Sequence, residues 1–366
     1  MNTITEYAPC PANEAQNQAP TPVPPVTQMH TNAPTHYIEC VPNISEGRRP
    51  EIIEELAALL RRDRAVRLLH VDRGADAHRT VFTFVAPASH MVAAAFRFVD
   101  AVLHRIDMRQ HQGIHERAGA VDVVPFVPIG HTPMQRCIDT AHALAERIGA
   151  ERQLPVYLYG EAARTPQRFH LSDIRRGGYE ALAHKISLPH WRPDAGPANW
   201  SEAVARSGSV QIGARPFLIA WNLNLATADA RVATRIAQRI RESGTRQHGP
   251  GLFRGLKARG WFVPAFSCAQ ITMNLTDFRA SPMHEVFDTA SQLAQEAGTR
   301  VTGSELIGLV PLAALEAAGR AYLQRRAATT SPTSQECVHA AVAHFNLAEH
   351  DAFDPQTRII EWCLDR

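Results

Sequence analysis

The chain contains 366 residues, of which 45% are hydrophobic, so it is long enough to bury a full core and to form two domains of ordinary size. Its 38 basic residues are mixed with 36 acidic residues, and this balance excludes the strongly basic surface of a nucleic-acid-binding or membrane-binding protein. The six cysteines are widely spaced without a CxxC pair, and no segment approaches the roughly 18 apolar residues of a membrane helix. We therefore expect a cytoplasmic protein with free thiols.

The first 35 residues are rich in Pro, Ala, Asn, Gln and Thr and predict a disordered arm, because this composition buries too little apolar area to offset the entropy of ordering. Between residues 36 and 216, strand-like runs alternate with amphipathic helices. The predicted strands are HYIECVP, VRLLHVD, TVFTFVA, VDVVPFVPI and PVYLYG, and the predicted helices are EIIEELAALLRR, SHMVAAAFRFVDAVLHRI and TPMQRCIDTAHALAERIG. Thr132 is expected to open the last helix, with Pro133 at its first position.

A loop-rich passage ends near Pro216, and a second series of elements follows over residues 217–326. FLIAWNLNLA and FSCAQITMNLTD predict strands, whereas DARVATRIAQRIRES and MHEVFDTASQLAQEAG predict helices. Residues 327–366 begin with AATTSPTSQ and predict a linker with a short helical tail. The expected fold class is α+β or α/β, with two sandwich-like subdomains, each a mixed β-sheet with helices packed on it.

The segment Arg109–Gly130, RQHQGIHERAGAVDVVPFVPIG, places proton chemistry directly before a predicted strand. His115 stands there in a polar, glycine-flanked loop, and its ordinary pKa near 6.5 suits it to proton transfer, although a structural or solvated histidine is the commoner case. His111 and His115 have the i, i+4 spacing of zinc ligands, but Gly113 and Gly119 interrupt the helix that such a site needs. We expect no metal site.

Three further polar positions are candidates for the same site. Asp72 ends a predicted strand and would stabilise a His115 imidazolium if the two side chains face each other; otherwise it caps a turn. Arg79 and Arg117 lie in polar loops and are able to bind carboxylates in a bidentate manner, although solvated arginines are the usual case. Asn43 lies between a strand and a helix, where turn and capping roles explain the composition equally well.

Several blocks of the sequence, taken together and in order, resemble the formiminotransferase domain family. The blocks are ECVPNISEG, VDRGADAHRTVFTFV, IDMRQHQGIHERAGAVDVVPFVPI, PVYLYGEAA, IRRGGYEAL, DAGP, GARPFLIAWNLNL, ITMNLTDF and SELIGLVPLAAL. They cover about residues 37–326, and FDPQTRIIEW resembles the segment that follows the transferase region in bifunctional members. A cyclodeaminase domain has no counterpart here, so a stand-alone transferase is expected.

The resemblance implies an enzyme that transfers a formimino group from N-formimino-L-glutamate to N5 of tetrahydrofolate, a step of histidine degradation. It implies a homodimer, small-molecule substrates with tetrahydrofolate as co-substrate, and a ligand tunnel between the subdomains. It also implies that His115 is the general acid and base and that Asp72 assists it. The expected substrate-binding and folate-binding residues are Asn43, Arg79, Arg117, Gly196, Pro197 and Gly208.

The chain departs from the family pattern near the expected base. Ile114, Glu116 and Ala118 replace Glu, Pro and Met, His78 replaces Asn, and the loop 196–213 is longer than usual. Three alternatives therefore stay open: a family member with another formimino or formyl donor or acceptor, a catalytically silent folate-binding protein, and a metal-dependent hydrolase built on the two histidines.

Overall fold

The computed structural model describes residues 35–113, 116–326, 331–350 and 352–366. The predicted Pro-rich arm, except for Thr35, therefore lies outside the described residues. Among the helices that are described, none is long and apolar enough to cross a membrane.

Seven of the described strands form a mixed first sheet in the order β3, β4, β1 with β2, β5, β7, β6. Their bounds are β1 Tyr37–Cys40, β2 Asn43–Ile44, β3 Arg67–Gly74, β4 Arg79–Pro87, β5 Val121–Ile129, β6 Val156–Gly160 and β7 Val210–Ala214. Strands β5, β7 and β6 are parallel, and the other pairs are antiparallel. Because β5 is central and covered on both faces, it carries a nearly continuous apolar run.

Three long helices cover one face of this sheet: α1 Pro50–Arg62, α2 Ala88–Arg105 and α3 Met134–Arg152. Their apolar residues form one core with the strands, in which Leu56, Phe98 and Leu144 are fully buried. The predicted start of α3 is wrong by one residue. Pro133 precedes the first helical residue, and Thr132 Oγ1 accepts a hydrogen bond from the Tyr37 N–H at 3.1 Å instead of capping the helix.

Short helices α4 Leu171–Ile174, α5 Leu182–Lys185 and α6 Glu202–Ser207 connect β6 to β7 of the first sheet, after which the chain enters the second sheet. That sheet is antiparallel, in the order β11, β8, β10, β9, with bounds β8 Ile219–Leu225, β9 Leu256–Val263, β10 Cys268–Leu275 and β11 Val301–Ile307. The core residues of β8 and β10 occupy alternate positions, as expected of strands with one face in a core. The core includes α7 Ala230–Ile240, α8 Met283–Glu296, α9 Leu312–Arg325 and α10 Ser334–Phe345.

The C-terminal helices connect the two units. After α11 Pro355–Arg358, helix α12 Ile360–Leu364 packs Ile360 and Leu364 against Tyr37 and Val85 of the first sheet. Arg67 Nη1 also donates a hydrogen bond to the Leu364 carbonyl at 2.8 Å. These contacts lie on the face of the first sheet opposite α1, α2 and α3, which we call its inner face.

Candidate active site

The expected base, His115, lies outside the described residues, as does Ile114. The chain that follows it is held firmly ahead of β5. The Ala118 N–H donates to Asp122 Oδ1 at 3.0 Å, and the Ser45 hydroxyl donates to the Gly119 carbonyl at 2.8 Å. The described residues that follow His115 are therefore joined to β5 and to the residue after β2.

A buried ionic cluster lies at the start of β5, on the inner face. Asp122 has no exposed surface and occupies a β-bulge opposite β2, a feature that redirects side chains near functional sites. Its carboxylate accepts hydrogen bonds from Arg79 and, at 2.6 Å, from Arg175 Nη2. Arg79 Nε also donates to Asn43 Oδ1 at 3.0 Å. Two predicted ligands, Asn43 and Arg79, are thus brought together around an aspartate.

The electrostatics of this cluster follow from its partners. Burial alone would raise the pKa of Asp122, but the charges of Arg175 and Arg79 and the hydrogen bonds from Arg79 and Ala118 hold that pKa below its ordinary value. One carboxylate therefore faces two guanidinium groups, which leaves one positive charge in a buried setting. Arg175 Nε is buried with no hydrogen-bond partner among the described residues.

Tyr159 and Gly213 border the cluster. The Tyr159 ring lies over Gly213, where a Cβ atom would come within 2.5 Å of the ring, so a glycine is required there. Burial raises the pKa of Tyr159 to about 12, against the lowering effects of Arg215 and Arg175. The phenol is therefore a neutral hydrogen-bonding group beside the arginines.

His111 is buried and has partners for both ring nitrogens. Arg117 Nε donates to His111 Nδ1 at 3.1 Å, so the proton lies on Nε2, which is 3.1 Å from the His78 carbonyl. Burial, with the charges of His78 and Arg117, lowers the pKa of His111 and favours this neutral form. Because both nitrogens are engaged, this arrangement does not favour the zinc hypothesis. Arg117 itself also pairs with Glu180 at 2.6 Å.

The structure explains how His78 replaces the asparagine of the family pattern. Its φ of +49° lies in the left-handed region, which asparagine adopts more readily than most residues. The His78 ring stacks on His111 with centroids 4.2 Å apart, and His78 Nδ1 lies 2.9 Å from the Gln112 carbonyl. The imidazole therefore supports the residues on the amino-terminal side of His115.

The predicted folate loop reaches the His115 loop at one of its two ends. Gly208, with φ of +72°, pairs with Gly119, and a Cβ atom on Gly208 would lie 2.3 Å from the Ala118 carbonyl oxygen. Gly196 instead packs against Leu154, with Pro197 half-buried after it. The structure thus brings Gly208, but not Gly196, against the segment after His115.

Asp72 lies on the inner face and contacts the second unit. Its Oδ2 accepts a hydrogen bond from the Gly308 N–H at 2.8 Å and lies 3.8 Å from both His70 Nε2 and Arg358 Nη2. Burial alone would raise the pKa of Asp72, but these three partners lower it, so the carboxylate is ionised. Asp72 and Asn43 both pair with Val81 of β4 from opposite sides, which places their backbones about 10 Å apart at ordinary strand spacing.

The second sheet turns a polar face away from its core, and we call this its inner face. A chain of amides crosses it. Trp261 Nε1 donates to Gln270 Oε1 at 2.8 Å, Gln270 Nε2 donates to Asn224 Oδ1 at 2.8 Å, and Asn224 Nδ2 donates to Glu349 Oε2 at 2.7 Å. On the same face, burial and the nearby charge of Asp72 raise the pKa of Glu305, so the two inner faces lie close together at this point.

Sequence reasoning did not identify Asp122, Arg175 or Tyr159. A usable signal was present for the first of them, because an aspartate inside the apolar run VDVVPFVPI must have buried partners. The identity of those partners had no local signal, since Arg175 is 53 residues away in the sequence.

Comparison with known proteins assigns the family. Residues 37–215 match the formiminotransferase domain, N-terminal subdomain, and residues 220–365 match the formiminotransferase domain. The chain is 38% identical over 289 residues to a glutamate formimidoyltransferase of Thermoplasma acidophilum, covering 78% of this chain and 92% of that protein. A glutamate formimidoyltransferase of Streptococcus pyogenes is 36% identical, with 78% and 93% covered.

A longer relative is the formimidoyltransferase-cyclodeaminase of Mus musculus, which is 39% identical over 330 residues. The match covers 90% of this chain, and the chain spans 60% of the length of that relative. Both subdomain matches and the two prokaryotic relatives agree with one another. The chain therefore belongs to the formiminotransferase domain family.

Proposed function

We propose that the protein transfers a formimino group from N-formimino-L-glutamate to N5 of tetrahydrofolate, with His115 as general acid and base. The observation that carries this proposal is the match to a glutamate formimidoyltransferase over 92% of that protein's length. The matched region includes the loop around His115 and the cluster around Asp122. The proposed pathway is histidine degradation, and tetrahydrofolate is a co-substrate rather than a resident cofactor.

The chemistry needs one proton taken up and one returned. N5 of tetrahydrofolate attacks the formimino carbon and forms a C–N bond, and His115 accepts the proton that N5 loses. The bond between that carbon and the glutamate nitrogen then breaks, and the imidazolium returns the proton to the departing nitrogen. General acid–base catalysis of this kind contributes roughly 100-fold to 10,000-fold.

The charge distribution supports a donor that carries carboxylates. Asp122 neutralises only one of the two arginines that contact it, and the remaining positive charge is buried. An anionic group is attracted to such a site more strongly than in water, because the local dielectric constant is lower. Asp72 is ionised on the same inner face and, in this proposal, stabilises the imidazolium of His115.

The proposed folate site lies between the two inner faces, with Gly208 against the His115 loop. The amides of the second sheet provide donors and acceptors for an uncharged heterocycle. A homodimer is part of the same proposal, and light scattering of the purified protein tests it through the molar mass in solution.

A direct assay tests the activity. The purified protein is mixed with tetrahydrofolate and formiminoglutamate, and 5-formiminotetrahydrofolate is followed by absorbance. We expect saturable turnover in both substrates. Folate binding without turnover would overturn the transferase and favour a silent binder, whereas turnover only with another formimino or formyl donor would change the substrate. Loss of activity with a chelator, restored by zinc, would favour the hydrolase.

A further inference from the structure

The segment Ile174–Leu182, IRRGGYEAL, holds the loop of the proposed base at consecutive residues. Arg175 Nη2 donates to the carbonyl of Glu116, the residue directly after His115. The Tyr179 N–H donates to the next carbonyl, that of Arg117, at 2.8 Å. This short segment therefore forms hydrogen bonds with both of the residues that follow His115.

Arg175 links the Glu116 carbonyl to the buried cluster around Asp122. The same Nη2 atom donates to Asp122 Oδ2 at 2.6 Å, so one guanidinium joins the loop to β5. A planar guanidinium fixes two acceptors in a defined geometry, which the rotatable ammonium of lysine does not do.

The backbone around Arg175 is itself immobilised by a buried lysine. Lys185 Nζ donates to the carbonyls of Ile174 at 3.1 Å and Arg176 at 2.8 Å, the residues on either side of Arg175. The next position makes no comparable contact: the Arg175 side chain is 11% exposed, whereas the Arg176 side chain is 76% exposed and pairs only with Asp173 among the described residues. The two adjacent arginines therefore differ sharply in their surroundings.

We propose that Arg175 is a positioning residue that fixes the His115 loop for proton transfer. The inference rests on the proposed function for its kinetic consequence, but the loop contact itself is independent of substrate. Arg175 acts on the loop through the Glu116 carbonyl and on β5 through Asp122.

The test compares Arg175→Lys with Arg176→Lys, since both substitutions keep the charge. We expect Arg175→Lys to lower kcat at least 30-fold while the KM values for both substrates change less than threefold, and Arg176→Lys to stay within twofold of wild type. Arg175→Met also removes the cation, so the acid limb of its kcat/KM profile should move to higher pH, whereas Arg175→Lys should keep the wild-type limb.

Amide hydrogen exchange of residues 109–120 separates this inference from the proposed function. Arg175→Lys should accelerate exchange in that loop at least tenfold, and Arg176→Lys should not, whether or not the protein turns over formiminoglutamate. Unchanged exchange, or unchanged kcat in an active protein, overturns the inference. If Arg175→Met does not fold, the comparison of Arg175→Lys with Arg176→Lys decides the question alone. A wild-type protein without turnover would overturn the proposed function but leave the exchange result valid.

Discussion

The two inner faces bury polar groups in different ways. On the first sheet, Asp122 contacts Arg79 and Arg175, so the buried carboxylate is paired with charged groups. On the second sheet, Trp261, Gln270 and Asn224 form a chain of amide and indole hydrogen bonds that ends at the Glu349 side chain. Leaving a buried charge unpaired costs far more free energy than leaving a buried amide unpaired. In the proposed function, the first face performs the chemistry, whereas the second face recognises an uncharged ring.

The largest effect should come from His115→Ala, because it removes the proposed acid and base of the first face. We expect kcat to fall by about 100-fold to 10,000-fold while folate affinity changes only a few fold. Turnover and folate binding by fluorescence measure the two quantities. His104→Ala, an exposed histidine on α2, is the matched control and should keep wild-type kinetics. A wild-type rate in His115→Ala would remove this residue as the base.

Asp122→Asn should show how strongly the stability of the first face depends on the charge of this carboxylate. The amide leaves Arg79 and Arg175 buried without a counter-charge, which should lower the free energy of unfolding by about 3–5 kcal/mol. Urea denaturation measures this change. Asp173→Asn serves as the control, because its exposed pair with Arg176 contributes no more than about 1 kcal/mol. Equal stability of both variants would mean that Asp122 is not an essential counter-ion.

Glu39 is a buried carboxylate on the inner face of the first sheet, and its pKa is shifted in the opposite direction to that of Asp122. Burial raises its pKa from 4.5 to about 7; Arg215 opposes this shift, and Glu361 adds to it. Because the folded protein retains a proton that the unfolded chain releases, stability is lost as pH rises from 4.5 to about 7. The free energy of unfolding falls by about 3 kcal/mol over this range.

Glu39→Gln removes this titration. The variant should match wild type near pH 4.5 and become progressively more stable than wild type up to about pH 7, as measured by urea unfolding across that range. A constant difference between the two proteins would show that Glu39 titrates normally. Such a result would also weaken the contrast with Asp122, whose two arginines lower its pKa.

Periodicity predicted the helices and central strands of the first sheet because their apolar residues repeat over long segments. Strands β7, β9 and β11 were not predicted: β7 lies within the passage that was expected to be a loop, and Gly260 interrupts the pattern of β9. That glycine allows α7 to approach, because a Cβ atom there would lie 2.1 Å from the Thr234 nitrogen. The partners of Asp122 had no local signal either, since tertiary contacts between distant segments bring them together. The roles of His115 and Asp72 came from the family resemblance and remain predictions.

The smallest effect should come from the second face. Gln270→Met keeps the side-chain volume but leaves the Trp261 Nε1–H and the Asn224 amide without their partner, so we expect a loss of about 1–2 kcal/mol in the free energy of unfolding. If this face recognises the heterocycle, the KM for tetrahydrofolate should rise while kcat stays within threefold. Urea denaturation measures the change in stability, and steady-state kinetics measure the change in KM.

Asn274→Ala is the matched control, because Asn274 lies on the same strand and the same face but is exposed. It should leave the stability and the KM unchanged. A fall in kcat rather than a rise in KM for Gln270→Met would contradict the division of labour between the two faces, since it would mean that the amide chain supports the proton-transfer step. Because neutral hydrogen bonds are individually weak, only the separation of KM from kcat, and not the size of the effect, decides between these two roles.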